Sequence, residues 1–231
     1  MLLYQDENGF LFNSDAHFLY HFISEFNPKG DLLDIGCGCG VVGLLLKRDF
    51  NIELTGIDIQ KQNIKLSTTN ARVNNLKANF ICGDFLKMDL KKRFDIIISN
   101  PPYYHEGVSK SSNKKIAISK YNQNLPLSNL IKRANSIIKP KGSLIFCYDP
   151  KQIQDIIFFL KESKFILTDL RFVHGSKDKE SKLVLIRAKK GSNSLCNIYK
   201  PLIHFENGKL SKEANKIYQK TRTYSIKCQT L

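Results

Sequence analysis

The chain has 231 residues, of which 42% are hydrophobic, and its 36 Lys and Arg against 21 Asp and Glu give a formal net charge of +15. This length suits one domain with an appendage, and the apolar fraction excludes a wholly disordered chain. The apolar runs are too short to span a bilayer and the first residues are not a secretory leader, so we expect a cytoplasmic protein without a membrane partner.

Short β-type runs alternate with helical patterns along most of the chain. Seven strands are predicted, at residues 32–35, 53–57, 78–82, 95–99, 143–148, 165–173 and 183–188. Helices are predicted at residues 41–48, 60–74, 127–138 and 151–161, the third ending at Pro140-Lys141-Gly142. This alternation predicts an α/β fold with a Rossmann-like, doubly wound, seven-stranded sheet. No helix separates the last two strands, which predicts one antiparallel strand inserted at an edge.

The same pattern divides the chain into a main domain and an arm. Residues 1–190 contain all seven predicted strands. Residues 191–231 are predicted to form a C-terminal arm packed on or beside them, with an extended piece, a turn at Asn207-Gly208 and a helix over residues 211–219. The last eleven residues contain no motif that we can assign. The oligomeric state stays open, with a monomer favoured.

The positive charge lies in the second half of the chain. Residues 105–231 contain 25 basic and nine acidic residues, a net charge of +16, whereas residues 1–30 have a net charge of −3. Lysines distributed by drift over any surface would be spread more evenly. A basic half beside a nearly neutral half favours a polyanionic partner, with nucleic acid ahead of a membrane surface.

The first predicted strand is followed by the glycine-rich turn D-I-G-C-G-C-G. Gly36, Gly38 and Gly40 allow a tight turn and a close approach of the backbone to a ligand. Val41 stands where the dinucleotide fingerprint needs its third glycine, so a cradle for pyrophosphate is not favoured.

Three acids lie at or just after the ends of three predicted strands: Asp34, Asp58 and Asp84. Each alone is explained as a helix cap or a solvated turn. Together, in this order, they favour a binding site for a ligand with hydroxyl groups, an amine and a positive charge, and they suit a polyphosphate badly.

The fourth predicted strand continues directly into Asn100-Pro101-Pro102-Tyr103. Both prolines lack an N–H group and fix φ, and the first restricts Asn100 to extended backbone. The stiff turn can present the Asn100 side-chain oxygen and the Pro101 carbonyl to the hydrogens of a planar amine, while Tyr103 offers a face on which a base stacks. Such acceptors stabilise the positive charge that develops on an amine as it reacts as a nucleophile.

Together these motifs resemble the class I S-adenosyl-L-methionine-dependent methyltransferases. The resemblance implies that the glycine turn faces the methionine part of the cofactor, that Asp58 holds the ribose and that Asp84 binds the adenine amino group. Residues 1–190 would be the methyltransferase domain, with residues 1–30 covering the cofactor. The implied cofactor-binding residues are Gln5, Phe12, Asp34, Gly36, Cys37, Gly38, Gly40, Asp58, Ile59, Asp84, Phe85 and Asn100.

The two ends of the sequence resemble one family in particular. Residues 5–23, with Gln5, the pair Gly9-Phe10 and an N-capped helix at Ser14, and residues 199–218 are similar to the bacterial tRNA(Val) adenine-N6 methyltransferases. The resemblance covers nearly the whole chain and implies N6-methylation of an adenosine beside the anticodon, with tRNA as the partner. Residues 105–125 are predicted to form a loop rich in Lys and Ser. Its lysines are then expected to contact phosphates: Lys110, Lys114, Lys115 and Lys120.

Other substrates share the N-P-P-Y turn. Protein glutamine amides and rRNA guanines are the alternatives, although the glutamine enzymes have a larger N-terminal domain and the guanine enzymes often duplicate theirs. A non-catalytic RNA-binding module is a third reading, which the intact turn disfavours. The five histidines are scattered and the C-x-C pair lacks the spacing typical of zinc sites, so we expect no metal and six reduced cysteines without a chemical role.

Overall fold

A computed structural model describes residues 1–9, 11–101 and 125–229, which form thirteen strands and six α-helices. In chain order the strands are β1 Leu2–Asp6, β2 Gly30–Ile35, β3 Ile52–Asp58, β4 Ala78–Cys82, β5 Phe94–Ser99, β6 Ile138–Tyr148, β7 Phe165–His174, β8 Ser181–Lys190, β9 Asn197–Ile198, β10 Leu202–Ile203, β11 Phe205–Glu206, β12 Lys209–Leu210 and β13 Tyr224–Cys228. The helices are α1 Ser14–Ser24, α2 Val41–Asp49, α3 Lys61–Val73, α4 Leu127–Ile137, α5 Ile153–Glu162 and α6 Lys212–Thr221.

The main sheet has the strand order β10-β7-β8-β6-β5-β2-β3-β4, with β9 also paired to β7. Strands β2 to β6 run parallel to their neighbours within the group, whereas β8 is antiparallel to both β6 and β7. The predicted doubly wound sheet with one inserted antiparallel strand is therefore confirmed. Two short strands of the arm, β9 and β10, pair in parallel with β7 and extend the seven predicted strands to nine. They cover an edge that would otherwise expose unpaired backbone groups.

The core consists of two apolar layers, one on each face of this sheet. Side chains alternate between the faces with a period of two, so Leu32 and Leu33 lie in opposite layers. The first layer joins the sheet to α1, α2 and α6, and the second joins it to α4 and α5. Helices on both faces leave the carboxyl ends of the parallel strands as the open edge, where this class of fold binds its ligands.

Two predicted boundaries were wrong. Helix α4 ends at Ile137 and β6 begins at Ile138, so Pro140-Lys141-Gly142 lies inside a long strand and not in a loop after the helix. The strand accommodates the proline and glycine through a break in register opposite Phe94 and Ile96. The cap of α1 is the second difference, because the Asn13 side chain, and not that of Ser14, accepts the hydrogen bond from the Asp15 N–H.

The arm returns to the N-terminal segment. Strand β13 pairs in parallel with β1, from Leu2 opposite Tyr224 to Asp6 opposite Cys228. Helix α6 adds Ala214 and Ile217 to the first core layer. Neither β1 nor β13 is predicted by the sequence pattern. The division of the chain at residue 190 into a domain and an arm stays a prediction. Within the described ranges, no helix is both long and apolar enough to cross a membrane.

Candidate functional site

The acids predicted from the sequence meet at the carboxyl edge of the sheet. Because β5, β2, β3 and β4 are neighbouring parallel strands, their carboxyl ends lie side by side. Asp34 is the penultimate residue of β2, Asp58 is the last residue of β3, Asp84 follows β4 by two residues and Asn100 follows β5 directly. All four line one cleft, whose empty space, including its open mouth, is about 1040 Å³. A cleft of this size accommodates a nucleoside with an amino-acid tail.

The glycine turn forms one wall of the cleft. Gly36 and Gly38 have φ angles of +68° and +56°, which favour glycine, and a Cβ added to either would meet no atom within 4 Å. Open space at these positions allows a ligand to approach the backbone closely. Gly40 does not line the cleft. It is the left-handed N-cap of α2, and a Cβ there would lie 3.1 Å from Ser67 Cβ.

Asp58 connects this turn to the next strand. One carboxylate oxygen accepts a hydrogen bond from the Gly38 N–H at 2.9 Å and the other accepts from the Gln60 N–H at 2.8 Å. Burial raises the pKa of Asp58, against these N–H donors and the Asn63 side chain, which lower it. A carboxylate that lines the cleft beside the glycine turn is a suitable acceptor for the hydroxyl groups of a ribose.

Asp34 is the most strongly perturbed acid of the site. Its side chain is 4% exposed and accepts a hydrogen bond from the Gly43 N–H at 3.2 Å. Burial, with a further contribution from the charge of Asp58, raises its pKa to about 7, although the Gly43 N–H opposes this. A positively charged ligand in the cleft would favour the ionised form of Asp34.

Asp84 shapes the wall beyond β4. Its carboxylate accepts a hydrogen bond from the Leu86 N–H at 2.9 Å and lies 3.4 Å from the Lys87 ammonium group. The buried Phe85 ring and the half-exposed Ile59 side chain lie beside it along the cleft. Apolar faces next to a carboxylate suit a planar heterocycle with an amino group.

Asn100 is held at the opposite wall. The preceding residue, Ser99, is fully buried and donates a hydrogen bond to the Ile35 carbonyl at 2.8 Å, which joins the ends of β5 and β2. The Asn100 side-chain oxygen accepts from the Cys147 thiol at 3.0 Å. Pro101 is buried and is not among the residues that line the cleft.

The N-terminal segment reaches the cleft through Phe12. Gln5 does not line the cleft, but its side-chain oxygen accepts a hydrogen bond from the Phe12 N–H at 2.8 Å, and its NH₂ group donates to the Ser225 hydroxyl of β13. The Phe12 ring contacts His17, whose ring contacts Tyr218 of α6. The arm therefore supports the wall that Phe12 provides.

Most of the predicted residues come together. The predicted cofactor-binding residues that line the cleft are Phe12, Asp34, Gly36, Cys37, Gly38, Asp58, Ile59, Asp84, Phe85 and Asn100. The two that do not are Gln5 and Gly40. The predicted residues outside the described ranges are Pro102, Tyr103, Lys110, Lys114, Lys115 and Lys120. The binding and catalytic roles of all these residues stay predictions.

The sequence analysis missed several residues of the cleft. Asn63, in the first turn of α3, hydrogen-bonds to Asp58 and was not singled out. Its position five residues after the strand-terminal acid is a signal that could have identified it, since the first turn of the following helix faces the same edge. Val41, Val42 and Leu125 also line the cleft and have no signal of their own, because apolar residues at such positions are equally typical of a core.

The polar groups of the cleft distinguish between classes of ligand. The cleft contains three carboxylates, and none of the described residues that line it is Lys or Arg. This chemistry, with the glycine backbone open to the ligand, fits the hydroxyl groups, ammonium and sulfonium of S-adenosylmethionine and not a polyphosphate. Among residues 1–9, 11–101 and 125–229 there is no group of three or more His, Cys, Asp or Glu placed to hold a metal ion.

Comparisons with known proteins agree with this chemistry. The family model of the methyltransferase small domain matches residues 14–163. The tRNA1(Val) (adenine(37)-N6)-methyltransferase of Porphyromonas gingivalis is 27% identical over 171 residues, which are 69% of this chain and 67% of that protein. Ribosomal RNA small subunit methyltransferase C of Yersinia pestis is 38% identical over 102 residues, which are 43% of this chain and 28% of that protein.

Two solved structures share the fold. A predicted O-methyltransferase of Agrobacterium tumefaciens superposes with a TM-score of 0.70 at 17% identity, over 93% of this chain and all of that one. A 16S rRNA N2 methyltransferase of T. thermophilus, in complex with AdoMet and guanosine, superposes with a TM-score of 0.57 at 20% identity. This match covers 78% of the chain and 44% of the T. thermophilus protein.

Proposed function

Since the chain belongs to the methyltransferase small domain family and is an S-adenosylmethionine-dependent methyltransferase, we propose that it methylates N6 of an adenosine in tRNA. The target is the adenosine beside the anticodon of a valine tRNA, in line with the resemblance of both ends of the chain and with the P. gingivalis relative. Such a substrate also places the activity in the cytoplasm.

One observation carries the proposal. The Asn100 side chain, which opens the N-P-P-Y sequence, lines the same cleft as Asp34, Asp58 and Asp84. An acceptor for the hydrogens of an aromatic amine therefore lies in the same cleft as the carboxylates that fit the cofactor. The bound cofactor supplies an electrophilic methyl group. The Asn100 side chain would align the amine and stabilise the charge that develops on its nitrogen, by about 3 kcal/mol. The Pro101 carbonyl is the second acceptor that the sequence predicts, but Pro101 does not line the cleft, so the proposal depends on Asn100.

The remaining residues of the cleft would bind the cofactor. Asp58 would accept hydrogen bonds from the ribose hydroxyls, Asp84 from the adenine amino group, and Asp34 would face the positive charges of the methionine part. Phe85 and Ile59 would contact the two sides of the adenine. The base to be methylated must leave its stack to reach Asn100, and Tyr103 would provide its stacking partner.

The charge of the chain supports an RNA substrate. The net charge of +16 over residues 105–231 suits a phosphate backbone, while the cleft itself is acidic and suits the cofactor. Lys110, Lys114, Lys115 and Lys120 would contact phosphates around the extruded base.

The test is mass spectrometry of nucleosides. The purified protein is incubated with S-adenosylmethionine and small RNA from a strain that lacks the gene, and the RNA is then digested. We expect a gain of N6-methyladenosine with the wild type and, at the same early time point, about 100-fold less with Asn100→Ala, which should still bind the cofactor. No modified nucleoside, with the wild-type protein folded and saturated with cofactor, would refute the proposal.

A second candidate is an rRNA guanine. The Y. pestis relative is the more identical of the two over its shorter aligned region, and it is a ribosomal RNA enzyme by name. The same digest distinguishes the two candidates, because N2-methylguanosine would appear in place of N6-methyladenosine when ribosomal RNA is supplied. Label in a glutamine-containing peptide, without a modified nucleoside, would indicate the protein-amide reaction instead.

A further inference from the structure

Cys147 contacts the residue on which the proposed chemistry depends. Its thiol donates a hydrogen bond to the side-chain oxygen of Asn100, with 3.0 Å between sulfur and oxygen. Cys147 is not among the residues that line the cleft, and it is fully buried. Cys147 therefore touches the amide of Asn100 from the protein side and leaves the cleft side of that amide to a substrate.

The register of the sheet produces this contact. Ser99 of β5 pairs with Phe146 of β6, so the next residues along the two parallel strands, Asn100 and Cys147, are also neighbours. Ile98 and Cys147 lie in the core layer formed with α1 and α2, whereas Phe146 lies in the other layer. Because side chains alternate along a strand, Asn100 follows Ile98 onto the face where the Cys147 thiol lies.

The contact decides between two orientations of an amide. The terminal torsion of asparagine is broad and roughly two-fold, so packing alone places the oxygen and the NH₂ group poorly. A protonated thiol is a weak donor and a weak acceptor. Because its proton can be donated to the amide oxygen and not to the NH₂ group, it favours the oxygen on its own side. Burial raises the pKa of Cys147 well above its usual value, so the thiol stays protonated at neutral pH. One lone pair of the oxygen is then engaged, and the other is available to the substrate.

We propose that Cys147 is a positioning residue, which orients the Asn100 amide so that its oxygen accepts a hydrogen from the substrate amine. The inference rests on the proposed function for the role of Asn100. It assigns a role to a buried cysteine that the sequence analysis expected to have none.

Kinetics of three variants test the proposal. Cys147→Val and Cys147→Ala both remove the hydrogen-bond donor. The Val side chain is slightly larger than that of Cys and the Ala side chain is smaller, so the pair controls for packing. Cys147→Ser keeps a donor. We expect kcat to fall by about tenfold in the first two and to stay within twofold of the wild type in the Ser variant. KM for RNA and Kd for the cofactor should change by less than twofold in all three, and Cys196→Val, at an exposed position of the arm, is the matched control. Wild-type kcat in the Val and Ala variants, or a Ser variant as slow as they are, would overturn the proposal.

A spectroscopic measurement separates this inference from the proposed function. In the free protein, the side-chain NH₂ resonances of Asn100 report the orientation and hydrogen bonding of its amide, and Asn100→Asp identifies them by their loss. Cys147→Ala should shift them, Cys147→Ser should restore them partly, and Cys196→Val should leave them unchanged. Resonances unaffected by Cys147→Ala would overturn the inference even where the wild type methylates RNA. A wild type that modifies no RNA would refute the proposed function and leave this measurement valid.

Discussion

Asp34→Asn is expected to remove a pH dependence from the free energy of unfolding. Burial raises the pKa of Asp34 from 3.8 to about 7. A raised pKa means that the folded state holds the proton more tightly, so the stabilisation is complete below pH 3.8 and is lost as the pH rises through about 7. Because one pH unit corresponds to about 1.4 kcal/mol, the loss amounts to about 4 kcal/mol between pH 4 and pH 8. The asparagine stays neutral and can still accept from the Gly43 N–H.

The assay is urea unfolding of both proteins, without cofactor, at pH 5, 6, 7 and 8. The variant should become progressively more stable than the wild type, by about 1.4 kcal/mol per pH unit up to pH 7. Asp31→Asn is the matched control, because Lys92 and Lys139 hold the pKa of that carboxyl below its usual value. Asp31→Asn should therefore lower the free energy of unfolding at neutral pH and not at low pH. A stability difference between wild type and Asp34→Asn that stays constant within about 1 kcal/mol from pH 5 to pH 8 would refute the reasoning.

Three further predictions concern the cofactor and the RNA. Asn100→Ala should lower the rate of methyl transfer by about 100-fold with a much smaller effect on the cofactor Kd in calorimetry, and a rate within threefold of the wild type would contradict its role. Gln5→Leu removes the acceptor of the Phe12 N–H and should raise the cofactor Kd by about tenfold, whereas Ser225→Ala, which removes only the partner of the Gln5 NH₂ group, should change it by less than threefold. An equal rise of the cofactor Kd in Gln5→Leu and Ser225→Ala would show that the hydrogen bond from the Phe12 N–H to Gln5 does not determine cofactor affinity. Binding of tRNA, followed by fluorescence anisotropy, should weaken at least tenfold between about 50 and 200 mM salt, and affinity independent of salt would exclude a phosphate interface.

The residues that the sequence places correctly share one property, which is that they lie at the ends of strands with a strong local pattern. Asp34 and Asp58 lie at the ends of runs whose apolar character indicates a buried strand, whereas Asp84 follows Ala78–Cys82, whose side chains are half-buried or exposed. Parallel strands bring their carboxyl ends to one edge, so three separate acids predict one cleft. The glycine turn is equally predictable from the sequence, because the positive φ angles at Gly36 and Gly38 favour glycine over other residues.

The features that the sequence does not reveal depend on contacts between residues that are far apart in the chain. The segments Leu2–Asp6 and Tyr224–Cys228 are short and have little pattern, and each becomes a strand because its backbone groups pair with the other. The role inferred for Cys147 has the same origin, since an isolated cysteine in an apolar run resembles any small core residue. Its relation to Asn100 exists only once β6 lies beside β5. Pro140 and Gly142 illustrate the converse. Pairing on either side of them, at Ile138 and from Ser143 onward, carries one strand through a segment whose residues are typical of a turn and whose Lys141 has a φ of +63°.

The pairing of β1 with β13 gives the protein an order of assembly during its synthesis. Gln5, which supports Phe12 at the cleft, lies in β1, whose backbone pairs with β13 along its whole length, and Ser225 of β13 is 220 positions from Gln5. At about 5–20 residues per second, Ser225 leaves the ribosome roughly 10–40 s after Gln5. Over that interval the nascent chain can build the central sheet and the glycine turn, but one wall of its cleft lacks support. Tight cofactor binding is therefore expected to be a late event on the ribosome, acquired when β13 emerges, well after the catalytic segment at Asn100.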